Sequence, residues 1–109
     1  MRDFSEKDWK LFRKKLPGWQ EAYMNRLCRE YIDLLSSDIK ASNRFWELEK
    51  RIKDDRKKTG VVATMSRSKM IFNIANLVYD GAISMNDLEE FSDDVKESVR
   101  MLSRMEKSL

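Results

Sequence analysis

The stretch of this sequence whose residue types and spacing come nearest to a chemical site is the 12-residue string Asn76 to Asp87. Its second half overlays an EF-hand calcium loop: Asp80 falls at position 5, Gly81 at the turn of position 6, Ile83 at 8, Ser84 at 9 and Asp87 at 12. The first half does not comply. Asn76 stands at position 1, Val78 at position 3 offers no side-chain oxygen, and Asp87 is shorter than the usual bidentate Glu. A hard cation takes six to eight oxygens, which this loop does not supply. The same residues read more simply as a helix stopped by Gly81, followed by a Ser84–Asp87 capping box. No metal is expected.

A second constellation is basic. Lys50, Arg51, Lys53, Arg56, Lys57, Lys58, Arg67 and Lys69 stand against only Asp54 and Asp55, a block of +6 that could follow a phosphate backbone. Residues Arg67 to Phe91 also have the outline of a helix-turn-helix. Its second helix, however, carries Asp87, Glu89, Glu90, Asp93 and Asp94, which DNA would repel. Any nucleic-acid contact is therefore expected through Lys50 to Lys69. The opposing reading is a solvated helix end, where Lys and Arg complement the helix dipole.

Other chemistry is thinly provided for. The chain has no histidine, which removes the commonest general base and the commonest metal ligand. Its carboxylates at Asp87, Glu89, Glu90, Asp93, Asp94 and Glu97 form a charged run without apolar neighbours to shift a pKa, and read as a solvated face. The single cysteine, Cys28, excludes an intramolecular disulfide and a Cys-based zinc site. It sits among Tyr23, Leu27 and Tyr31 and is expected in the core, in keeping with a cytoplasmic location. Gly18, Gly60 and Gly81 are too far apart to build a phosphate cradle, so no cofactor is expected. Neither an enzyme nor a membrane protein is foreseen. The charged start is unlike a signal peptide, and the longest apolar-rich stretch, Met70 to Tyr79, is far below the roughly 20 residues of a membrane span.

The elements that would position these residues are helices. In 109 residues, 38% are charged against roughly 25% in an average protein, which suits amphipathic helices with charged outer faces. Ser5 caps a first helix carrying Trp9, Phe12 and Leu16, which Pro17-Gly18 is expected to end. A second helix runs from about Pro17 to Leu35 with two apolar rows, Trp19-Tyr23-Leu27-Tyr31 and Met24-Cys28-Ile32-Leu35. That breadth marks it as the expected centre of the core. Ser42 is expected to cap a third helix with Phe45, Trp46, Leu48 and Ile52, ended by Gly60. Val61 to Met65 reads as an extended connection. Ser66 or Ser68 starts a helix with Met70, Ile71, Ile74, Leu77 and Val78 inward, and Ser92 starts the last, with Val95, Val99, Leu102 and Met105 along one side. The fold class is all-α, one domain over residues 1–109, a compact bundle of five or six short helices.

The aromatic residues concentrate in the first half. Trp9, Trp19, Phe45 and Trp46 exceed what one small core readily absorbs, and Trp is favoured at interface hot spots. These four are the candidate partner-binding residues, for another protein or for a second copy of the chain.

The strings KDWKLFRKKLPGWQEAYM (Lys7 to Met24), FWELEKRIKDD (Phe45 to Asp55), MSRSKM (Met65 to Met70) and GAISMNDLEEFSDD (Gly81 to Asp94) carry a resemblance. They resemble a family of small uncharacterised cytoplasmic proteins of Gram-positive bacteria and their mobile elements, some labelled multidrug transporter. That label conflicts with the lack of any membrane-length apolar run. No functional residue transfers, because none of the shared strings is chemical. The mobile-element setting implies regulation or the countering of host defence, of which an inhibitor of a nucleic-acid-guided nuclease is one concrete form. The function expected is a non-enzymatic helical protein–protein interaction or regulatory module, with a nucleic-acid-associated regulator acting through residues 50–69 as the alternative.

Overall fold

Ser5 opens the first helix in the computed structural model, which describes residues 4–108 and the side chains of residues 4–105. The first three residues of the charged N-terminal stretch lie outside the described residues. The Ser5 hydroxyl accepts the Asp8 N–H at 3.1 Å, and Glu6 and Asp8 occupy the first turn, where the helix dipole favours acids. Helix α1 then runs unbroken over Glu6–Leu35, 30 residues with Pro17 inside it.

This overturns the expected stop at Pro17-Gly18. Pro17 and Gly18 both face solvent, where water can satisfy a carbonyl left without its helical donor. On the other side Phe12, Leu16 and Tyr23 are buried on a single stripe that only a continuous helix presents to the rest of the chain. Tertiary burial outweighs the local breaker.

Helix α2 spans Ala41–Asp55, and the short α3 spans Thr59–Val62. Lys40, not Ser42, is the N-cap of α2, and its side chain makes no capping bond. Gly60 does not end α2. It lies inside α3 beneath the Tyr23 ring, where a Cβ would sit 2.3 Å from a ring carbon. Val61 and Val62 are helical instead of extended, and only Ala63 to Met65 run without regular structure. The Gln20 amide donates to the Ala63 carbonyl at 2.9 Å and so ties this connection to α1.

Helix α4 covers Met70–Tyr79, starting after Lys69 instead of at Ser66 or Ser68. Gly81, at φ 78°, stops it as expected: the Ala82 N–H returns to the Leu77 carbonyl at 2.8 Å and the Gly81 N–H to Val78 at 3.0 Å. The Ser84–Asp87 capping box forms and opens a single 3-10 turn, Met85–Leu88. Helix α5, Asp93–Ser108, follows Ser92, whose hydroxyl accepts the Val95 N–H at 3.3 Å.

The architecture is all-α, with no strand among the described residues. The core gathers Phe12 and Leu16 of α1, Met70, Ile74 and Leu77 of α4, Leu88, Phe91, and Val95 and Val99 of α5. Leu102 packs partly against this cluster, whereas Met105 is exposed, contrary to the expected inward row. The molecule measures 52 × 30 × 22 Å, because the second half of α1 leaves this body and pairs with α2 as a two-helix arm. Its radius of gyration of 16.3 Å exceeds the roughly 13 Å usual at this length.

Candidate protein-interaction surface

The arm is held by a line of polar contacts along the seam between α1 and α2. The Arg51 guanidinium meets Glu30 at 2.7 Å, Tyr31 donates to Asp55 at 2.7 Å, and Arg44 donates to the Leu35 carbonyl at 2.9 Å. Leu35 at the end of α1 meets Arg44 near the start of α2, and the earlier Glu30 and Tyr31 meet Arg51 and Asp55 further along it, so the two helices are antiparallel. Arg51 also lies over the Tyr31 ring, 5.6 Å from its centre. Burial and the bond to Asp55 both push the Tyr31 phenol above its ordinary pKa. Burial, with the Asp80 and Asp55 charges nearby, does the same to Tyr23.

Apolar contact contributes little to the arm. Tyr23 and Leu27 are buried, but α2 buries no residue at all. The row Met24-Cys28-Ile32-Leu35, expected in the core, is half-exposed at Met24 and exposed over the other three positions. Cys28 is therefore a surface thiol, not a core one. Ile32 is 61% exposed, and Phe45 and Trp46 are each 63% exposed, with Ile39 and Ile52 also open to solvent. Two rows at helical spacing looked alike; the chain supplies a covering for only one of them.

The exposed residues share one side of the arm. At about 3.6 residues per turn, Met24, Cys28 and Leu35 lie roughly a quarter-turn around α1 from the buried Leu27, and Ile32 lies further round, at the outer edge. On α2, Arg44, Leu48, Arg51 and Asp55 turn toward α1, and Phe45 and Ile52 lie about a quarter-turn from them. Since the helices are antiparallel, the two offsets lead to the same side. Trp46 closes the outer edge, packed edge-on against Phe45 with ring centres 4.9 Å apart.

The four candidate aromatics are thus divided. Trp9 and Trp19 are half-buried in the body, Trp9 stacked on Phe12 at 5.9 Å and Trp19 tilted on Phe91 at 6.2 Å. Phe45 and Trp46 stand on the arm. The eight basic residues are divided as well. Arg51 reaches Glu30, whereas Arg67 pairs with Glu6, 24 positions earlier on α1, a separation of roughly 36 Å along the helix. Lys50, Lys53, Arg56, Lys57 and Lys58 lie exposed along α2 and the turn after it, while Arg67 and Lys69 lie exposed beside the body. Lys53 approaches Glu49 at 3.9 Å; Lys50, Arg56, Lys57, Lys58 and Lys69 make no ion pair among the described residues.

The acidic block turns elsewhere. Glu90 pairs with Lys15 of α1 at 3.0 Å, which lowers its pKa, and the Asp80 carboxylate accepts the Thr59 N–H at 3.3 Å. Among the described residues no cluster of three or more His, Cys, Asp or Glu is arranged to hold a metal ion. No described helix is long and apolar enough to cross a membrane.

Two further features were not legible in the sequence. Asp8 is buried, and its carboxylate accepts from Ser5, from the Ser92 hydroxyl and from the Ser92 N–H, which leaves it clamped in place. A cleft of about 950 Å³ lies at the body end, walled by Trp9, Met70, Ile71, Phe72, Met101 and Leu102, with Glu97 on its rim. No protein-family model, curated protein or solved structure matches the chain.

Proposed function

We propose that this chain is a non-enzymatic helical interaction module that docks another protein on the apolar side of its arm. One observation carries the reading: Ile32, Leu35, Phe45, Trp46 and Ile52 are exposed together on a two-helix projection whose second helix has no fully buried residue. Contiguous apolar surface of more than a few hundred Å² on a folded chain marks an interaction site, and exposed Trp and Phe supply the anchors of such sites. The body serves as a rigid base, with Arg26 donating to the Gly81 carbonyl at 3.0 Å where arm and body meet.

The test is site-specific photo-crosslinking in cells, from position 46 on the arm and from position 89, an exposed site on the body. Protein adducts formed from position 46 and not from position 89 are expected. Equal labelling from both, or none from position 46, would remove the reading.

A second reading rests on Lys50, Arg56, Lys57 and Lys58, exposed and without ion pairs among the described residues. Four phosphate contacts would give duplex binding a log–log salt slope of roughly −3.6. Binding at low salt that disappears in a variant with all four changed to Glu supports it. No gel shift at low salt ends it.

A further inference from the structure

The apolar side of the arm is suited to one occupant above others, a second copy of itself. We infer that two arms pack face to face and antiparallel about a two-fold axis, closing a four-helix bundle with the two bodies at opposite ends. This rests on the reading of the arm as a protein interface and names its partner.

Three observations carry it. The first is area. Ile32, Leu35, Ile39, Phe45, Trp46 and Ile52 are each between 44% and 63% exposed. Covering all six completely would remove at most on the order of 700 Å² per copy, just under the ~800 Å² per partner of a standard-size interface. The second is shape. Two antiparallel helices with one apolar side are half of a four-helix bundle, and a two-fold operator makes such a side complementary to itself. The antiparallel arrangement also carries the bodies apart, whereas parallel arms would drive them into each other.

The third is charge. Along the apolar rows the charged positions are few, Glu21 on α1 and Glu49, Lys53 and Arg56 on α2, and Glu49 and Lys53 meet each other within their own helix. The middle of the side, from Cys28 to Ile32 on α1 and Phe45 to Ile52 on α2, is otherwise free of charge apart from Glu49. The Arg51, Glu30 and Asp55 charges are turned into the seam instead. Burying this side against its twin therefore strands few charges.

The single thiol supplies the test, since Cys28 lies in the exposed row near the middle of the arm and the packing brings two copies of it close together. The purified full chain is examined by sedimentation equilibrium, and by a short bis-maleimide that joins thiols within about 10 Å. A dimer mass is expected, with a single linked species that survives dilution. Phe45→Asp should give a monomer that does not link, with unchanged helical circular dichroism, because position 45 is exposed and outside the core. Cys28→Ser should still sediment as a dimer without linking.

A monomer at 100 µM that does not link would overturn the inference, and so would a dimer that Phe45→Asp leaves intact. Crosslinks from position 46 to a different protein, with none to the chain itself, would overturn it while leaving the interface reading standing. Absence of any adduct would remove both.

Discussion

Asp8 and Ser92 lie 84 positions apart in the chain and are joined by two hydrogen bonds, the carboxylate accepting the Ser92 N–H at 3.0 Å and its hydroxyl at 2.8 Å. One buried side chain thereby satisfies the start of α5 from within the first turn of α1, and holds Ser5 by a third bond at 2.8 Å. Replacing Asp8 by Ala removes all three hydrogen bonds and strands a partly buried N–H. The expected loss is about 2–4 kcal/mol, or a fall of 10 °C or more in Tm at ~4–8 °C per kcal/mol. Thermal unfolding followed by circular dichroism measures it.

Gly60 and Tyr23 predict a second effect, at the root of the arm. A Cβ at position 60 would lie 2.3, 2.7 and 2.8 Å from three carbons of the buried Tyr23 ring. Gly60→Ala must displace the ring or α3, at a cost of roughly 1–3 kcal/mol. Denaturant titration should show a lower midpoint, and the near-ultraviolet tyrosine signal should change.

Gly18 behaves in the opposite way. It lies inside α1, exposed, with nothing within 4 Å of where its Cβ would be. Gly18→Ala reduces the freedom of the unfolded chain without a clash, and should stabilise the protein by about 0.5–1 kcal/mol. A lower Tm would mean that α1 does not run continuously through Pro17.

Tyr31 gives the arm an alkaline limit. Its phenol is held above the ordinary value near 10 by burial and by its bond to Asp55, so the folded state keeps a proton that the unfolded chain gives up. Stability from this group is complete below about pH 10 and declines as pH rises beyond it, because the unfolded chain binds fewer protons there. Tyr31→Phe should flatten the part of that decline due to Tyr31, leaving the smaller part due to Tyr23. Unfolding midpoints between pH 9 and 11 report the difference.

The sequence disclosed most where the decisive chemistry is local. The Gly81 stop, the Ser84–Asp87 capping box and the Ser92 start each involve groups within a few residues, and each forms. Pro17-Gly18 misled because its helix-breaking effect is local, while the burial of Leu16 and Tyr23 that overrides it comes from α4, α5 and α3. Gly60 misled for a related reason: its missing side chain makes room for Tyr23, 37 positions away, and does not mark an end. Trp9, Trp19, Phe45 and Trp46 all read as interface candidates; the first two are half-buried in the body and the last two stand exposed on the arm, and nothing in their spacing separates core from surface. The same holds for Cys28. Periodicity reports that a helix has an apolar row, but not whether the covering for that row comes from the same chain. On α1 one row is covered by the chain's own helices and the next is left open, and this difference carries the proposed function.

The most direct measurement of that claim separates folding from association. In the double variant Ile32→Asp/Phe45→Asp both changes fall on exposed positions of the arm, so the helical circular dichroism should match the parent's, as for surface substitutions generally. Crosslinking from position 46 should at the same time disappear. A variant that keeps its fold and still forms the same protein adducts would contradict the account, because the apolar side of the arm would then not be where this protein meets its partner.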